Sequence, residues 1–483
     1  MKSDVAEPGS LFSRASRALG WSFASTAASR LSTLAIGIVM ARILGPAQFG
    51  TFAVAMVALL AVLSFNELGV SLAIVRWPGD PRAIAPSVAT ISVVSSVVIY
   101  LGCFLGAPAF SQAMGAPQAA PVVRVLAASV IIDGLVSVPA AILQREFRQD
   151  RKMICSLTTS WLNSGTSVVC ALAGLGAMSL AVGQIAGALG GAVLYIAFAP
   201  QGIRFGFDPD KVRDLLKFGL PLAGSSAIVF AVSNVDKIIV GTVLGPVPLG
   251  LYVLAVNLSN WPVSMFSQPV RSVAPAALAR LQHDRAAMRL SFLSTADLLA
   301  AVTLPACALL AASAGPLIRF VYGHQWAGSA AVLPWLGLLG ALRILFELVY
   351  DYFVVLANTR VVLVAQVVWL LALVAAVEFG ARAAGVGGAG AAQFAVALLV
   401  VLPLYLYELN KTGISPGALG ARVAIPALGA LAAAMVALVA ARVIPVDLFA
   451  LGVAGVAGVA AMALLVYRMR GVLRTLRTVE AVD

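Results

Sequence analysis

The chain has 483 residues, of which 61% are hydrophobic and 11% charged, with 32 Lys+Arg against 20 Asp+Glu, a net charge of +12 and a mean hydropathy of +1.00. Soluble globular chains run about 45–50% apolar and about 25% charged, so this composition excludes a soluble enzyme, a disordered chain and a nucleic-acid binder. A β-barrel is excluded too, because its inward-facing residues would be polar; an all-α polytopic membrane protein remains.

A helix crosses a bilayer with about 20 mostly apolar residues. Fourteen such segments are predicted, at 21–43, 49–68, 85–106, 121–143, 153–175, 177–199, 218–242, 249–270, 291–312, 329–356, 361–381, 388–408, 421–441 and 447–467. The first 20 residues are polar and basic and show no cleavable signal sequence, so the first span is expected to serve as the entry signal. If alternate connections are cytoplasmic, starting from the N-terminus, that side carries 24 Lys+Arg, and the other side carries Arg42, Arg124, Arg319, Arg382 and Arg442. By the positive-inside rule both termini are then cytoplasmic and the span count is even. The same rule accounts for the net positive charge without a nucleic-acid partner.

The chain also repeats itself at an offset of 200 residues. Residues 41–56 read ARILGPAQFGTFAVAM and residues 241–256 read GTVLGPVPLGLYVLAV, so that Leu44, Gly45, Pro46, Gly50 and Ala55 match Leu244, Gly245, Pro246, Gly250 and Ala255. In each copy a helix ends, a Gly-Pro turn follows and the next helix begins. Each copy joins the first and second spans of a six-span set, which predicts a parallel repeat about an axis along the membrane normal, an arrangement in which sites lie at the repeat interface. The expected organisation is two six-helix lobes at 1–199 and 218–410. A cytoplasmic linker at 200–217 joins them, and two further helices with a basic cytoplasmic tail follow at 411–483.

Ionisable residues inside a bilayer cost about 2.5–3.5 kcal/mol each on insertion scales, which makes them functional candidates. In the first span Ser22, Ser25, Thr26, Ser29, Arg30 and Thr33 form one polar stripe with Arg30 at mid-depth. Arg30 either faces a water-filled cavity or pairs with a neighbouring carboxylate such as Glu67 or Asp133. The seventh span carries Ser226, Ser233, Asn234, Asp236 and Lys237. Adjacent Asp236 and Lys237 diverge by about 100° around the helix, so they are not expected to pair only with each other. Substrate contact and helix-to-helix ion pairing are both open there. In the tenth span Arg343, Glu347 and Asp351 share a face at i, i+4, i+8. They form either a structural ion-pair ladder or a coupling site for H+ or Na+. Asp297 and Glu378 are singletons near span ends.

Other chemistry has little to work with. No GxxxxGK[ST] occurs, the two histidines are His283 and His324, far apart in loops, and Cys103, Cys155, Cys170 and Cys307 all lie in apolar stretches. Neither a catalytic set nor a metal site is expected, and no cofactor beyond a coupling ion.

The segment Trp21–Trp77, with ARILGPAQFGTFAVAMVALL and NELGVSLAIVRW, resembles the polysaccharide transporter family, the Wzx-type oligosaccharide flippases of the multidrug/oligosaccharidyl-lipid/polysaccharide exporter superfamily. So do VPAAILQREFRQDRKM at 138–153, FGLPLAGSSAIVFAVSNVDKIIVGTVLGPVPLGLYVLAVNL at 218–258 and FVYGHQWAGSAAVLPWLGL at 320–338; the likeness covers about residues 15–410. The resemblance implies two lobes around a central cavity, working by alternating access in the bacterial inner membrane. It implies a cargo of undecaprenyl-diphosphate-linked oligosaccharide for exopolysaccharide, capsule or O-antigen, with polysaccharide polymerase and export machinery as partners. Cavity cations would meet the diphosphate or acidic sugars, with Arg30 the best placed and Lys237 next; Thr26, Ser29, Asn234 and Asn163 would line a polar path for the sugars. Two other readings stand beside it: a cation-coupled multidrug antiporter of the same superfamily, and a non-transporting subunit of a polysaccharide assembly complex. On the flippase reading, Arg30→Ala abolishes surface-polysaccharide restoration in a deletion strain while an immunoblot shows normal membrane insertion. Full restoration at normal expression would remove Arg30 from the cavity.

Overall fold

A computed structural model describes residues 8–64, 71–76, 80–146, 148–199, 204–267 and 284–468; the side chains of residues 8–34 lie outside that description. Its regular structure is helical. In chain order the helices are α1 (Pro8–Leu63), α2 (Ser71–Arg76), α3 (Ala85–Ala113), α4 (Ala120–Ala127), α5 (Ser129–Arg145), α6 (Gln149–Leu172), α7 (Met178–Phe198), α8 (Pro209–Leu244), α9 (Pro246–Pro262), α10 (Arg285–Ala312), α11 (Ala314–Val321), α12 (Leu333–Val355), α13 (Thr359–Val396), α14 (Leu402–Lys411), α15 (Pro416–Val443) and α16 (Asp447–Arg468). Among the described residues eight helices are long and apolar enough to cross a membrane, or nine if the bent pair His324–Ala331 and Leu333–Val355 makes one span. The count of fourteen is therefore not established on that criterion. One physical reason is visible in α9, which has 17 residues before a π-helical turn at Val263–Ser267 takes over.

The two repeat turns share one backbone solution. Gly45 breaks α1 at φ 70°, ψ 173°, and Gly245 separates α8 from α9 at φ 85°, ψ −174°. Only glycine enters that region without a steric penalty. The proline that follows each, Pro46 or Pro246, then starts the next helix, where its missing N–H is no loss. A third reversal, at Ala384 and Gly385 (φ 61°), breaks α13 in the same way.

The helices gather in two groups. In the first, α6 and α7 pack closely because α7 turns glycines toward α6. A Cβ on Gly187 would lie 2.6 Å from the Thr159 carbonyl oxygen, and one on Gly183 would lie 2.6 Å from that of Asn163. In lipid, where no hydrophobic force drives helices together, such close backbone approach is a main source of association. In the second group α10, α12 and α13 enclose an aromatic core, with Phe292 and Tyr352 at 4.9 Å and Phe346 and Trp369 at 5.7 Å between ring centroids. Helices α15 and α16 pack on each other and on α10.

The groups meet at the end that carries the Gly-Pro turns. There α1 crosses α9 at Gly50 and Gly250, whose backbones touch: a Cβ on Gly250 would lie 2.9 Å from the Gly50 nitrogen, and one on Gly50 would overlap the Pro246 carbonyl oxygen. The segment after α11 closes over the same crossing. The Trp326 indole N–H donates to the Ala41 carbonyl at 3.0 Å, the Gln325 amide donates to that of Arg42 at 3.1 Å, and Phe49 stands edge-on to Trp326 at 5.5 Å. Arg42 answers by donating to the carbonyls of Val321 at 2.8 Å and Phe320 at 2.5 Å, which satisfies orphan acceptors at the C-terminus of α11. At the opposite end the segment before α8 and the start of α8 itself dock on the first group, where the Gly206 N–H donates to the Pro86 carbonyl and Leu215 of α8 joins a cluster with Ile74, Ile84 and Val88.

Overpacking a close contact costs about 1–3 kcal/mol, so Gly50→Ala is expected to open this crossing. With the native cysteines replaced, a probe cysteine at Thr51, itself 5% exposed, should react with a maleimide at least about fivefold faster in Gly50→Ala protein than in the parent. An unchanged rate would mean that the crossing can spread without opening.

Candidate functional site

Helix α8 places Asp236 and Lys237 on different faces, and they find different partners. Asp236 is buried inside the second group. The Tyr252 hydroxyl donates to Asp236 Oδ2 at 2.7 Å and the Gln393 amide donates to the same oxygen at 3.1 Å; Gln393 Nε2 also contacts the Tyr252 oxygen. The hairpin explains Tyr252. Asp236 precedes the Gly245 turn by nearly as many residues as Tyr252 follows it, so antiparallel α8 and α9 set them opposite one another. Gln393 arrives on the returning half of α13, after the break at Gly385.

Beside this carboxylate is a cavity of about 290 Å³, lined by Ser233, Asp236, Arg343, Glu347, Trp369 and Gln393 among others. Arg343 donates from Nη1 to Asn260 Oδ1 at 3.0 Å, which ties α12 to α9. Glu347 lines the same cavity, and both it and Asp351, which is buried, are engaged by further groups. A carboxylate taken out of water loses several kcal/mol of hydration unless it is paired and hydrogen-bonded. Tyr252 and Gln393 supply two neutral donors that offset part of that loss, and the Arg343 guanidinium lines the same cavity.

Lys237 turns the other way. Its ammonium donates to Asn234 Oδ1 at 2.8 Å and to the Ser233 carbonyl at 3.3 Å, both on its own helix, and the Asn234 amide donates to the Phe230 carbonyl. In the first group Asn163 bridges two helices: its amide donates to Gln184 Oε1 at 3.1 Å and its oxygen accepts from Ser167. Asp133, on α5, is exposed and engaged by a neighbour. The side chains of Thr26, Ser29 and Arg30, and all of Glu67, lie outside the described residues. The singletons have partners, Asp297 with Arg422 at 3.6 Å and Glu378 with Arg382 at 2.8 Å.

The structure thus brings Asp236, Arg343 and Glu347 to one cavity and holds Lys237 and Asn163 apart from it. Sequence reasoning missed Tyr252, Gln393 and Asn260. Tyr252 had a signal: the repeat aligns it with Phe52, so one copy carries a hydroxyl where the other has none. The same alignment sets Asp236 opposite Ile36 and Arg30 opposite Phe230. The two halves share a backbone scheme and differ in charge chemistry.

A model of the family described as polysaccharide biosynthesis proteins matches residues 39–331. The succinoglycan biosynthesis transport protein ExoT of Rhizobium meliloti (strain 1021) is 25% identical over 327 residues, covering 67% of this chain and 65% of that protein. The lipopolysaccharide biosynthesis protein WzxC of Escherichia coli (strain K12) is 23% identical over 309 residues, covering 63% and 62%. The matches thus span just under two thirds of the length of these relatives. The lipid II flippase MurJ in an inward closed conformation superimposes with a TM-score of 0.74 over 92% of this chain and 99% of its own, at 14% identity, a likeness of fold alone.

A hydrogen bond to a charged group contributes about 1.5–3 kcal/mol, so Tyr252→Phe should destabilise the protein by that amount in mixed-micelle unfolding. In a double-mutant cycle with Asp236→Leu the two changes are expected to be non-additive by about 1 kcal/mol or more; additivity would show that the Tyr252–Asp236 bond contributes nothing.

Proposed function

The chain belongs to the polysaccharide biosynthesis protein family matched at residues 39–331, and from that membership we propose that it flips undecaprenyl-diphosphate-linked oligosaccharide across a bacterial inner membrane, with both termini in the cytoplasm. One observation carries the reading. The two Gly-Pro copies meet backbone to backbone at one end of the molecule, so two helical groups can rock about that contact and expose a path between them to each leaflet in turn. The groups act as lobes. The first supplies the anion-binding cation, Arg30, and the second supplies the coupling carboxylate, Asp236, which takes up H+ or Na+.

The division of labour follows from charge. A diphosphate needs guanidinium or ammonium donors in a low-dielectric path, whereas a coupling ion needs a buried carboxylate whose charge is only partly compensated. The names of the relatives support a polysaccharide intermediate as cargo: one is a succinoglycan biosynthesis transport protein and the other a lipopolysaccharide biosynthesis protein. Polymerase and export machinery would receive the flipped unit.

A deletion strain tests the proposal. Lipid-linked oligosaccharide should accumulate on the cytoplasmic leaflet and surface polymer should fall to background. Normal levels of both, together with new drug sensitivity, would make the chain an antiporter. In the complemented strain Asp236→Asn should abolish the dependence of flipping on the ion gradient; an unaltered dependence would take the coupling role away from Asp236.

A further inference from the structure

A second cavity, of about 270 Å³, lies outside the proposed transport path, between α10 and the two C-terminal helices. Three charged groups converge on it: Asp297 from α10, Arg422 from the second turn of α15 and Arg468 from the last turn of α16. Arg422 Nη1 stands 3.6 Å from Asp297 Oδ2, longer than a charge-assisted hydrogen bond. Arg468 lines the same cavity as that carboxylate and makes no ion pair within 4.0 Å among the described residues. One carboxylate therefore faces two guanidiniums, which leaves a net positive charge in the cavity. The remaining walls, among them Ile425, Pro426 and Leu465, are apolar.

Depth and surroundings narrow the occupant. Arg422 and Arg468 sit at the ends of their apolar helices, where a span leaves the hydrocarbon, while Ile425 and Leu465 lie deeper along the same helices. Further along the same two helices Leu428, Leu431 and Leu464 are exposed. The site thus offers cations at headgroup level and an apolar floor at acyl level. The same end of α10 carries Arg289, whose Nε is buried without a partner among the described residues. The sequence adds Arg470, Arg474 and Arg477 directly after α16. Basic pockets between membrane helices and basic runs beside them are the two recurring features that attract anionic headgroups.

The geometry points to a binding site for the phosphate of an anionic membrane phospholipid, held by Arg422 and Arg468 and distinct from the cargo. Asp297 orients Arg422 and prevents the two guanidiniums from repelling each other when the site is empty. An occupying phosphate bridges α15 to α16 and fixes both against α10, so the lipid acts as a structural ligand of the C-terminal helix pair. On the orientation proposed above this is the cytoplasmic leaflet, but lipid binding itself requires neither that orientation nor flipping.

The test uses the purified full chain in detergent, with native mass spectrometry and thermal unfolding read together. Dioleoylphosphatidylglycerol should stay bound and raise the unfolding midpoint, and dioleoylphosphatidylcholine should do neither. Arg468→Gln leaves the Arg422–Asp297 pair intact and is expected to weaken phosphatidylglycerol binding about fivefold; Arg422→Gln with Arg468→Gln should weaken it about 25-fold. If the double variant does not fold, the single variant still decides. Unchanged phosphatidylglycerol affinity in Arg468→Gln, or equal stabilisation by phosphatidylcholine, would overturn the site. Equal stabilisation by inorganic phosphate would also overturn it, because the acyl floor would then be irrelevant.

Discussion

The contact on which the rest of the molecule depends is the crossing of two backbones at Gly50 and Gly250. No side chain separates α1 from α9 there, so the two halves approach as closely as polypeptide allows. Two glycine-specific turns, Gly45 and Gly245, aim the helices at that crossing, and a proline after each restarts the helix at once. The cap of Gln325 and Trp326 then seals it, donating hydrogen bonds to the carbonyls of Arg42 and Ala41 just before the break. Turn, crossing and cap all arise from the same interruption of α1.

Around that shared axis the halves have diverged in chemistry. Where the second half buries Asp236, the first has Ile36; where the first carries Arg30, the second has Phe230. A carboxylate among apolar helices survives only with donors arranged around it, and Tyr252 and Gln393 are those donors. Lys237, one residue on, is held by its own helix and leaves that network alone. The repeated backbone scheme thereby carries different charged residues in its two copies.

The C-terminal helices belong to a different regime. They carry no copy of the repeat and attach through α10. Their charges sit at their ends, with Arg319 paired to Asp447 at 2.7 Å at one end of α16 and Arg422 to Asp297 near the other. The first pair is compact and balanced. The second is long and shares its carboxylate with Arg468, so the two ends of the same helix differ in how much charge the protein itself satisfies.

Much of this is legible in the amino-acid sequence. Composition set the membrane class, apolar runs pointed to helices, and the LGP repeat marked the turns, because glycine alone takes the positive-φ position without a steric penalty and proline, with no N–H to lose, restarts the helix. The repeat also indicated that the halves would be related, though not that Gly50 and Gly250 would touch. Intramembrane charge marked Asp236, Arg343 and Glu347, which do share a cavity. The partners were beyond reach. Tyr252 and Gln393 are ordinary residues in apolar helices, and Gln393 meets Asp236 across 157 positions. Their meeting depends on how far each helix is rotated and where α13 breaks, and those quantities are set by packing against several other helices at once. Sequence periodicity determines which face of a helix is polar; only the tertiary structure determines what that face meets, because the crossing geometry is a property of the whole assembly.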